Sequence, residues 1–335
     1  MRKYLISEKG NFYKVNLHCH STLSDGKLTP EQVKQAYVEK GYSAVAFTDH
    51  DVFICHNDLT DDKFVALNGY ELEIDKPIDG VYPYNREKCC HLCLVALSPK
   101  TTRQVCFHRT KYLHRNKNLD INTLDFDRNA PDYERYYTHE CINDIMKQGR
   151  ENGFFVTYNH PTWSGESYPD YMGYEHMHAM EIFNNECAYI GLEEYNSRVY
   201  DDMLRGGKTL FCTATDDMHK KLTVGGGFVM IKADKLDYEC LTSNLIKGNF
   251  YSSTGAEIKE LYVEDGYIYI TTSPAKMISM TMGIMRVEKE LGIDKPITQA
   301  KFKIMPNVNY VRITVTDVNN NKAYTNAYPV DELLK

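Results

Sequence analysis

Short runs of β-branched and aromatic residues alternate with longer amphipathic segments over the first two thirds of the chain. This alternation is typical of repeated βα units around a parallel sheet, and such a sheet can close into a barrel. Seven runs have the composition of strands: YKVNLH, SAVAFTDH, FVALNGYELEI, CCHLCLVAL, GFFVTYNHP, AMEIFNN and TLFCTATDDMH. We therefore predict an α/β fold with seven strands in a sheet that can close into a barrel.

Local signals predict where the helices begin and end. Thr29, Pro30 and Gln32 have the positions of an N-cap, a first-turn proline and the far end of a capping box, and Gly41 ends the helix. Further helices are predicted near residues 138–151 and before Gly206. Residues 98–138 form a long, irregular, basic connection, which is either a functional loop or a solvated surface.

From Glu257 onward the pattern changes to short alternating runs separated by turn residues, such as LYVEDGYIYITTS. This pattern predicts a small antiparallel, β-sandwich-like domain. We therefore divide the chain into a barrel at 1–256 and an all-β domain at 257–335. We expect the second domain to support stability or association.

Composition and charge limit the kinds of partner that we expect the protein to bind. The chain has 335 residues and a net charge of −7, which gives no basic footprint for duplex nucleic acid. No apolar run is long enough for a signal peptide or a membrane span, so we expect a cytoplasmic protein without a membrane partner. The ten cysteines lack paired spacing and are expected to be reduced core thiols.

Histidines and carboxylates occur at or near the ends of the predicted strands, which a parallel barrel gathers on one face. His18 and His20 lie two apart, so their side chains point the same way and can bind one ion. Several such groups would be costly to bury unpaired, and metal ligation removes that cost. The nine candidate ligands are His18, His20, Asp25, His50, Glu71, His91, His160, Asp217 and His219. This number indicates a multinuclear site, and mixed nitrogen and oxygen ligation suits Mn, Fe or Zn.

The ordered segments NLHCHS, SDG, TDHD, GYE, an isolated strand histidine, NHP, EIFN and TDDMH resemble the metal-binding motifs of the PHP (polymerase and histidinol phosphatase) superfamily over residues 16–219. The chain is most similar to stand-alone bacterial members with a C-terminal β domain. The resemblance implies the distorted (β/α)7 barrel and two to three divalent ions. It implies three ligand sets: His18, His20, Glu71 and Asp217; Glu71, His91 and His160, with Glu71 bridging; and Asp25, His50 and His219. Placing His91 in this scheme requires an insertion near residues 75–88.

Two close divalent ions lower the pKa of a water molecule and offset charge on a phosphoryl oxygen, so they favour hydrolysis. We predict a metal-dependent phosphatase or phosphodiesterase that cleaves a small phosphorylated metabolite or nucleotide. Glu71 and Asp217 are the predicted catalytic residues, as metal bridges or as groups that orient the nucleophile. Glu73 is the alternative to Glu71 on the same strand face. Asp51 and Asp49 are candidates for residues that hydrogen-bond to the metal ligands.

Recognition of phosphate requires an Arg or Lys. Arg109 and Arg198 are the predicted substrate-binding residues, and Arg103, Arg115 and Arg205 are also available. Two other functions stay open: an amidohydrolase-like enzyme that cleaves C–N or carbamate bonds on the same metals, and a non-catalytic metal-binding interaction protein. The sequence leaves the oligomeric state unassigned.

Overall fold

The computed structural model describes residues 2–78, 86–116 and 119–335. The strands of this part of the chain are β1 (Lys3–Tyr4), β2 (Asn11–Asn16), β3 (Ala44–Phe47), β4 (Val65–Pro77), β5 (Arg86–Ala96), β6 (Phe154–Tyr158), β7 (Ala179–Asn184), β8 (Phe211–Thr215), β9 (Phe228–Ala233), β10 (Phe250–Ser253), β11 (Ile258–Glu264), β12 (Tyr267–Met282), β13 (Val287–Leu291), β14 (Ile297–Lys303), β15 (Tyr310–Asp317), β16 (Lys322–Thr325) and β17 (Tyr328–Pro329). The helices are α1 (Pro30–Glu39), α2 (His139–Glu151), α3 (Tyr168–Met172), α4 (Asn185–Tyr189), α5 (Ser197–Arg205), α6 (Tyr238–Ile246) and α7 (Val330–Leu333).

Each of the seven predicted strands is present, as β2 to β8. β2, β3 and β4 are parallel neighbours, and so are β6, β7 and β8. β5 lies between these two groups and is antiparallel to both β4 and β6. The expectation of an all-parallel sheet was therefore wrong at β5, because β4 and β5 form a long antiparallel ladder that runs from Gly69 opposite Val95 to Pro77 opposite Arg86.

The ladders connect β9, β2, β3, β4, β5, β6, β7 and β8 in that order. The segments that follow β2 and β8 meet at an isolated parallel bridge between Cys19 and Met218, where the His20 N–H donates to the Met218 carbonyl at 2.9 Å. The fold is thus mixed α/β with one large sheet, and closure into a barrel stays a prediction.

The helix signals of the sequence agree with the structure. The Thr29 hydroxyl accepts from the Gln32 N–H at 3.4 Å, and the Gln32 side chain accepts from the Thr29 N–H at 3.0 Å, which is the predicted capping box. α1 ends before Gly41, whose φ of +75° suits a residue without a Cβ. α2 begins after Thr138, and α5 ends before Gly206.

The C-terminal strands pair antiparallel, as predicted, around a core that includes Ile258, Ile278 and Ile313. Two pairings cross the predicted boundary at residue 257, because β1 pairs with β11 and β16 pairs with β10. The division into two domains remains a prediction. The ten cysteines are free thiols, as expected. Among the helices in the described part of the chain, none combines the length and apolar composition that a membrane crossing requires.

Candidate metal centre

The nine predicted ligands come from seven parts of the fold and meet in one buried cluster. Two follow β2, one lies in the loop before α1, one follows β3, one each lies in β4 and β5, one follows β6 and two follow β8. They are His18, His20, Asp25, His50, Glu71, His91, His160, Asp217 and His219. Because Glu71 and His91 lie within a hairpin, the cluster is built partly from strand interiors and not only from carboxyl ends of strands.

Glu71 lies at the centre of this cluster and is 1% exposed. Its two carboxylate oxygens each face more than one imidazole. Oε1 lies 3.2 Å from His18 Nε2, 3.1 Å from His91 Nδ1 and 3.3 Å from His160 Nε2, and Oε2 lies 3.1 Å from His50 Nδ1 and 3.5 Å from His20 Nε2. One carboxylate therefore touches five histidines, which is the arrangement expected of a bridging group.

Asp217 and Asp25 occupy two further positions around the same histidines. Asp217 Oδ1 lies 3.2 Å from His18 Nε2 and 3.0 Å from His20 Nε2. Asp25 Oδ1 lies 3.4 Å from His219 Nε2, and its Oδ2 lies 3.6 Å from His50 Nε2. The predicted third set of ligands, Asp25, His50 and His219, is thus brought together, with His20 beside it.

Three non-glycine residues of the site have left-handed backbone conformations. Asp51, His160 and Asp217 have φ values of +62°, +26° and +50°. Each such residue costs on the order of 1–3 kcal/mol and persists only where the surroundings enforce it. The backbone is therefore strained where it aims two of the candidate ligands into the cluster.

Outer partners orient the histidines, as metal-binding imidazoles require. Glu181 in β7 lies 2.7 Å from His18 Nδ1 and accepts from the Thr215 hydroxyl at 2.7 Å and the His160 N–H at 3.0 Å. Sequence reasoning quoted the EIFN segment but assigned Glu181 no role. The sequence feature that could have identified Glu181 is a carboxylate inside an otherwise largely apolar strand. Asn159 also donates to Glu71 Oε1, at 2.8 Å.

The electrostatics of the cluster keep its central carboxylates ionised. Burial by itself raises the pKa of Glu71, but His18 and the other imidazoles more than offset that effect and hold the pKa well below its usual value. Burial likewise raises the pKa of Asp217, but His18 and His20 lower it by more, so the pKa is well below its usual value. Burial and the nearby His20 lower the pKa of His50, which favours the neutral, metal-binding form.

The donors present fit divalent cations. Within the described residues, four buried atoms of the cluster make no hydrogen bond of good geometry: His20 Nδ1, His50 Nδ1, His91 Nε2 and Asp217 Oδ1. Two of these atoms, His50 Nδ1 and Asp217 Oδ1, nevertheless lie 3.1 Å from Glu71 Oε2 and 3.0 Å from His20 Nε2. Buried polar atoms without partners are costly, and a cation would remove that cost. Several groups of three or more donors lie close enough to share one ion, including His18, His20 and Asp217, and also His50, Glu71 and His91.

Glu73 has different neighbours. It forms ion pairs with Arg86 and Arg115, and its Oε1 lies 3.8 Å from His91 Nε2. Of the two glutamates, Glu71 is therefore the one surrounded by the histidine cluster. The insertion expected near residues 75–88 falls partly on residues 79–85, which lie outside the described residues.

Asp51 and Asp49 support the loops around the site. Asp51 is buried and forms an ion pair with the buried Arg135, and burial raises the pKa of Asp51 to about 6 despite that partner. Asp49 accepts from the Ser21 N–H at 2.7 Å and from the Ser24 hydroxyl at 2.7 Å. Both carboxylates therefore fix the segments that carry the candidate ligands.

The two arginines predicted to bind substrate lie elsewhere. Arg109 pairs with Asp132 and donates to carbonyls of its own loop, while Arg198 is 80% exposed and pairs with Asp202 within α5. Arg115 borders the cluster instead, because the long connection that contains it folds over β4. A cavity of about 120 Å³ lies over the cluster, with Arg115, Trp163 and Ile190 in its wall.

Comparisons with known proteins agree with the sequence motifs. Residues 16–154 match the family model of the PHP domain. No curated protein matches the chain significantly.

Similar solved structures include a two-domain protein containing a predicted PHP-like metal-dependent phosphoesterase from Bacteroides vulgatus, at 15% identity and a TM-score of 0.44, with 98% of this chain and 99% of that chain covered. Another is a proposed metal-dependent phosphoesterase from Bifidobacterium adolescentis, at 14% identity and a TM-score of 0.40, with 64% and 90% covered. A third is an amidohydrolase from Chromobacterium violaceum with bound sulfate and no metal, at 13% identity and a TM-score of 0.37, with 62% and 87% covered. At these TM-scores none of the three carries an argument.

Proposed function

We propose that this protein is a metal-dependent phosphoesterase that hydrolyses a small phosphorylated substrate. The observation that carries the proposal is the set of six histidines and three carboxylates around Glu71, within and beside a matched PHP domain. The site would bind two or three divalent ions. These ions would be Mn, Fe or Zn, since mixed imidazole and carboxylate ligation suits these metals.

When bound, such ions lower the pKa of water and stabilise charge on the phosphoryl oxygens. His18, His20, Glu71 and Asp217 would hold one ion, His91 and His160 would hold a second with Glu71, and Asp25, His50 and His219 would hold a third. Hydrolysis forms a P–O bond to water and breaks the P–O bond to the leaving group, whose oxygen takes up a proton. Glu181 keeps His18 in the orientation that presents Nε2 to the cluster.

A phosphate ester fits the surroundings better than an amide or carbamate. The guanidinium of Arg115 borders the cavity over the cluster, and guanidinium groups pair well with phosphate oxygens. Glu71 also occupies the central position that a carboxylated lysine usually takes in amidohydrolases.

The test combines metal analysis with a comparison of substrates. We expect two to three divalent ions per chain after refilling with metal, and hydrolysis of p-nitrophenyl phosphate or bis(p-nitrophenyl) phosphate in the presence of manganese. One ion or fewer would contradict the multinuclear site. Turnover of an anilide or a carbamate without turnover of either phosphate ester would show the amidohydrolase chemistry instead, and full metal content without any turnover would favour a binding protein.

A further inference from the structure

A second cavity, of about 440 Å³, adjoins the one over the metal cluster, and the two share Asp25 and Arg115 in their walls. The larger cavity lies between residues 22–25, with Lys27, and residues 114–116 of the long connection. Pockets that enclose a small-molecule ligand usually have about 300–1,000 Å³. The cavity over the cluster is below that range and the adjoining cavity is within it, so a small-molecule substrate that reaches the cluster has room to extend into the adjoining cavity.

Arg115 lies at the junction of the two cavities and is held from two sides. Its Nε donates toward Asp25 Oδ2 at 3.0 Å, and Nη1 pairs with Glu73. Within the described residues, Nη2 makes a long contact of 3.5 Å to Glu73 Oε1. An arginine carries five N–H donors in a rigid plane, so two strong contacts leave donors available while they fix the orientation of that plane.

Both partners of Arg115 are themselves anchored. Glu73 pairs additionally with Arg86 at the start of β5, and Asp25 contacts His219 and His50. The side chain of Arg115 is 19% exposed, which allows access from the cavities while its stem stays packed. The guanidinium is therefore placed in advance, at the border of a metal cluster, and does not need to be ordered by the substrate.

We infer that Arg115 binds the phosphoryl group of the substrate and directs the leaving group into the larger cavity along residues 22–25. This inference rests on the proposed phosphoesterase function and deepens it. It assigns the substrate class as a phosphate ester whose leaving group is large enough to occupy the adjoining cavity. It also replaces Arg109 and Arg198 as the residues that recognise phosphate.

The chain contains a natural probe for the phosphoryl position. Trp163 is its one tryptophan, and it lines the cavity over the cluster, with its ring 4.9 Å from the His160 ring and 5.3 Å from the His91 ring. Binding of inorganic phosphate to metal-loaded protein can therefore be followed by tryptophan fluorescence, independently of turnover.

The experiment compares the wild type with Arg115→Met and Thr22→Phe. Removing a hydrogen bond to a charged group typically costs enough to weaken binding by about ten- to a hundredfold, and Arg115→Met should raise the Kd for inorganic phosphate by that factor. Metal content should be unchanged, and Arg115→Lys should recover part of the affinity. Arg198→Met is the matched control: Arg198 is exposed, pairs with Asp202 in α5 and lines neither cavity, so the phosphate affinity of this variant should stay close to that of the wild type.

Thr22→Phe tests the second half of the inference, because Thr22 lines only the larger cavity. It should raise KM for 4-methylumbelliferyl phosphate and leave the Kd for inorganic phosphate unchanged. If Arg115→Met binds phosphate as the wild type does while the wild type hydrolyses phosphate esters, the inference is overturned and the proposed function stands. Equal KM values for Thr22→Phe and the wild type would overturn the assignment of the leaving-group cavity. If the wild type hydrolyses no phosphate ester, the proposed function fails, and the phosphate titrations still decide the role of Arg115.

Discussion

Glu71 and Glu73 lie two residues apart on β4, so their side chains leave the same face of the strand. Glu71 faces five histidines, whereas Glu73 faces Arg86 and Arg115. The strand pattern could not separate these two residues, because both are acidic residues at equivalent positions. The two glutamates differ in their neighbours. Those of Glu71 follow β2, β3 and β6 or lie in β5, and those of Glu73 include an arginine of the long connection.

Glu71→Gln should abolish hydrolysis and reduce bound metal, while the fold is preserved. An amide of almost the same shape cannot bridge two cations comparably, and we expect turnover to fall by at least about 100-fold, the upper range for the loss of a metal-orienting partner. Metal content, thermal melting and phosphatase rate measure the result. The exposed Glu290 of β13 offers a matched control, Glu290→Gln, which should behave as the wild type; equal turnover in Glu71→Gln would refute the assignment of Glu71.

Glu73→Gln should act differently, through Arg115. Because the neutral amide pairs less strongly with both arginines, Arg115 becomes less well oriented, and we expect a higher KM with the metal content unchanged. Steady-state kinetics with metal analysis on the same preparation distinguish the two variants. Loss of metal in Glu73→Gln alone would show that the roles of the two glutamates are reversed.

Glu181→Gln tests the partner that sequence reasoning missed. The side chain fixes His18 through Nδ1, and loss of such a partner typically lowers metal affinity or activity by about 10–100-fold. Competition with a chelator gives the metal affinity directly. An unchanged affinity would show that His18 is oriented without Glu181.

At the scale of elements, the sequence pattern predicted the seven strands β2 to β8 but not all of their directions. An apolar run such as that of β5 has the same composition whether its neighbours are parallel or antiparallel, so the sequence pattern could not indicate that β5 is antiparallel to both β4 and β6. The ligand positions were predictable because histidines and carboxylates inside apolar runs are unusual. The position of Arg115 could not be predicted, because the connection at residues 98–138 has no periodic pattern that indicates where it packs.

Glu166, between β6 and α3, joins several elements through one carboxylate. It accepts from the Tyr137 hydroxyl at 2.7 Å and the Tyr158 hydroxyl at 2.6 Å, and Tyr174 also donates to it. Burial raises the pKa of Glu166 to about 7, although the three hydroxyls lower it in part. Glu166 in the unfolded chain has the ordinary pKa of 4.5. Between this pH and about 7, the folded protein therefore keeps a proton on Glu166 that the unfolded chain has lost.

This difference predicts how stability depends on pH. A raised acid pKa makes the folded state bind more protons than the unfolded state, so its contribution to the free energy of unfolding falls as pH rises from about 4.5 to about 7. Urea unfolding of the wild type and Glu166→Gln across this range measures the contribution as the difference between the two curves. The difference should decline over that interval and level off above it; a constant difference would contradict the raised pKa.

At the scale of the whole molecule, the C-terminal strands are joined to the metal-binding part by contacts far from the cluster. Arg312 in β15 makes a two-pronged ion pair with Asp201 in α5, at 2.8 and 2.7 Å, and the Tyr310 hydroxyl donates to the same carboxylate at 2.9 Å. Asn326 accepts from the Cys212 N–H at 3.1 Å, and β16 pairs with β10. None of the nine candidate ligands comes from these strands, so we expect them to contribute to stability and not to the chemistry of the site.

Arg312→Met should therefore destabilise the protein without removing its metals. Taking one partner from a buried ion pair leaves the other charge buried, at a cost of about 3–5 kcal/mol. Replacing both partners with apolar residues is often nearly neutral, so the double variant Arg312→Met with Asp201→Leu should recover much of the loss, apart from the hydrogen bond of Tyr310. Chemical unfolding gives the stabilities, and elemental analysis at low temperature gives the metal content. Loss of bound metal in folded Arg312→Met protein would show that the C-terminal strands do shape the site, because the substitution changes no residue that faces the cluster.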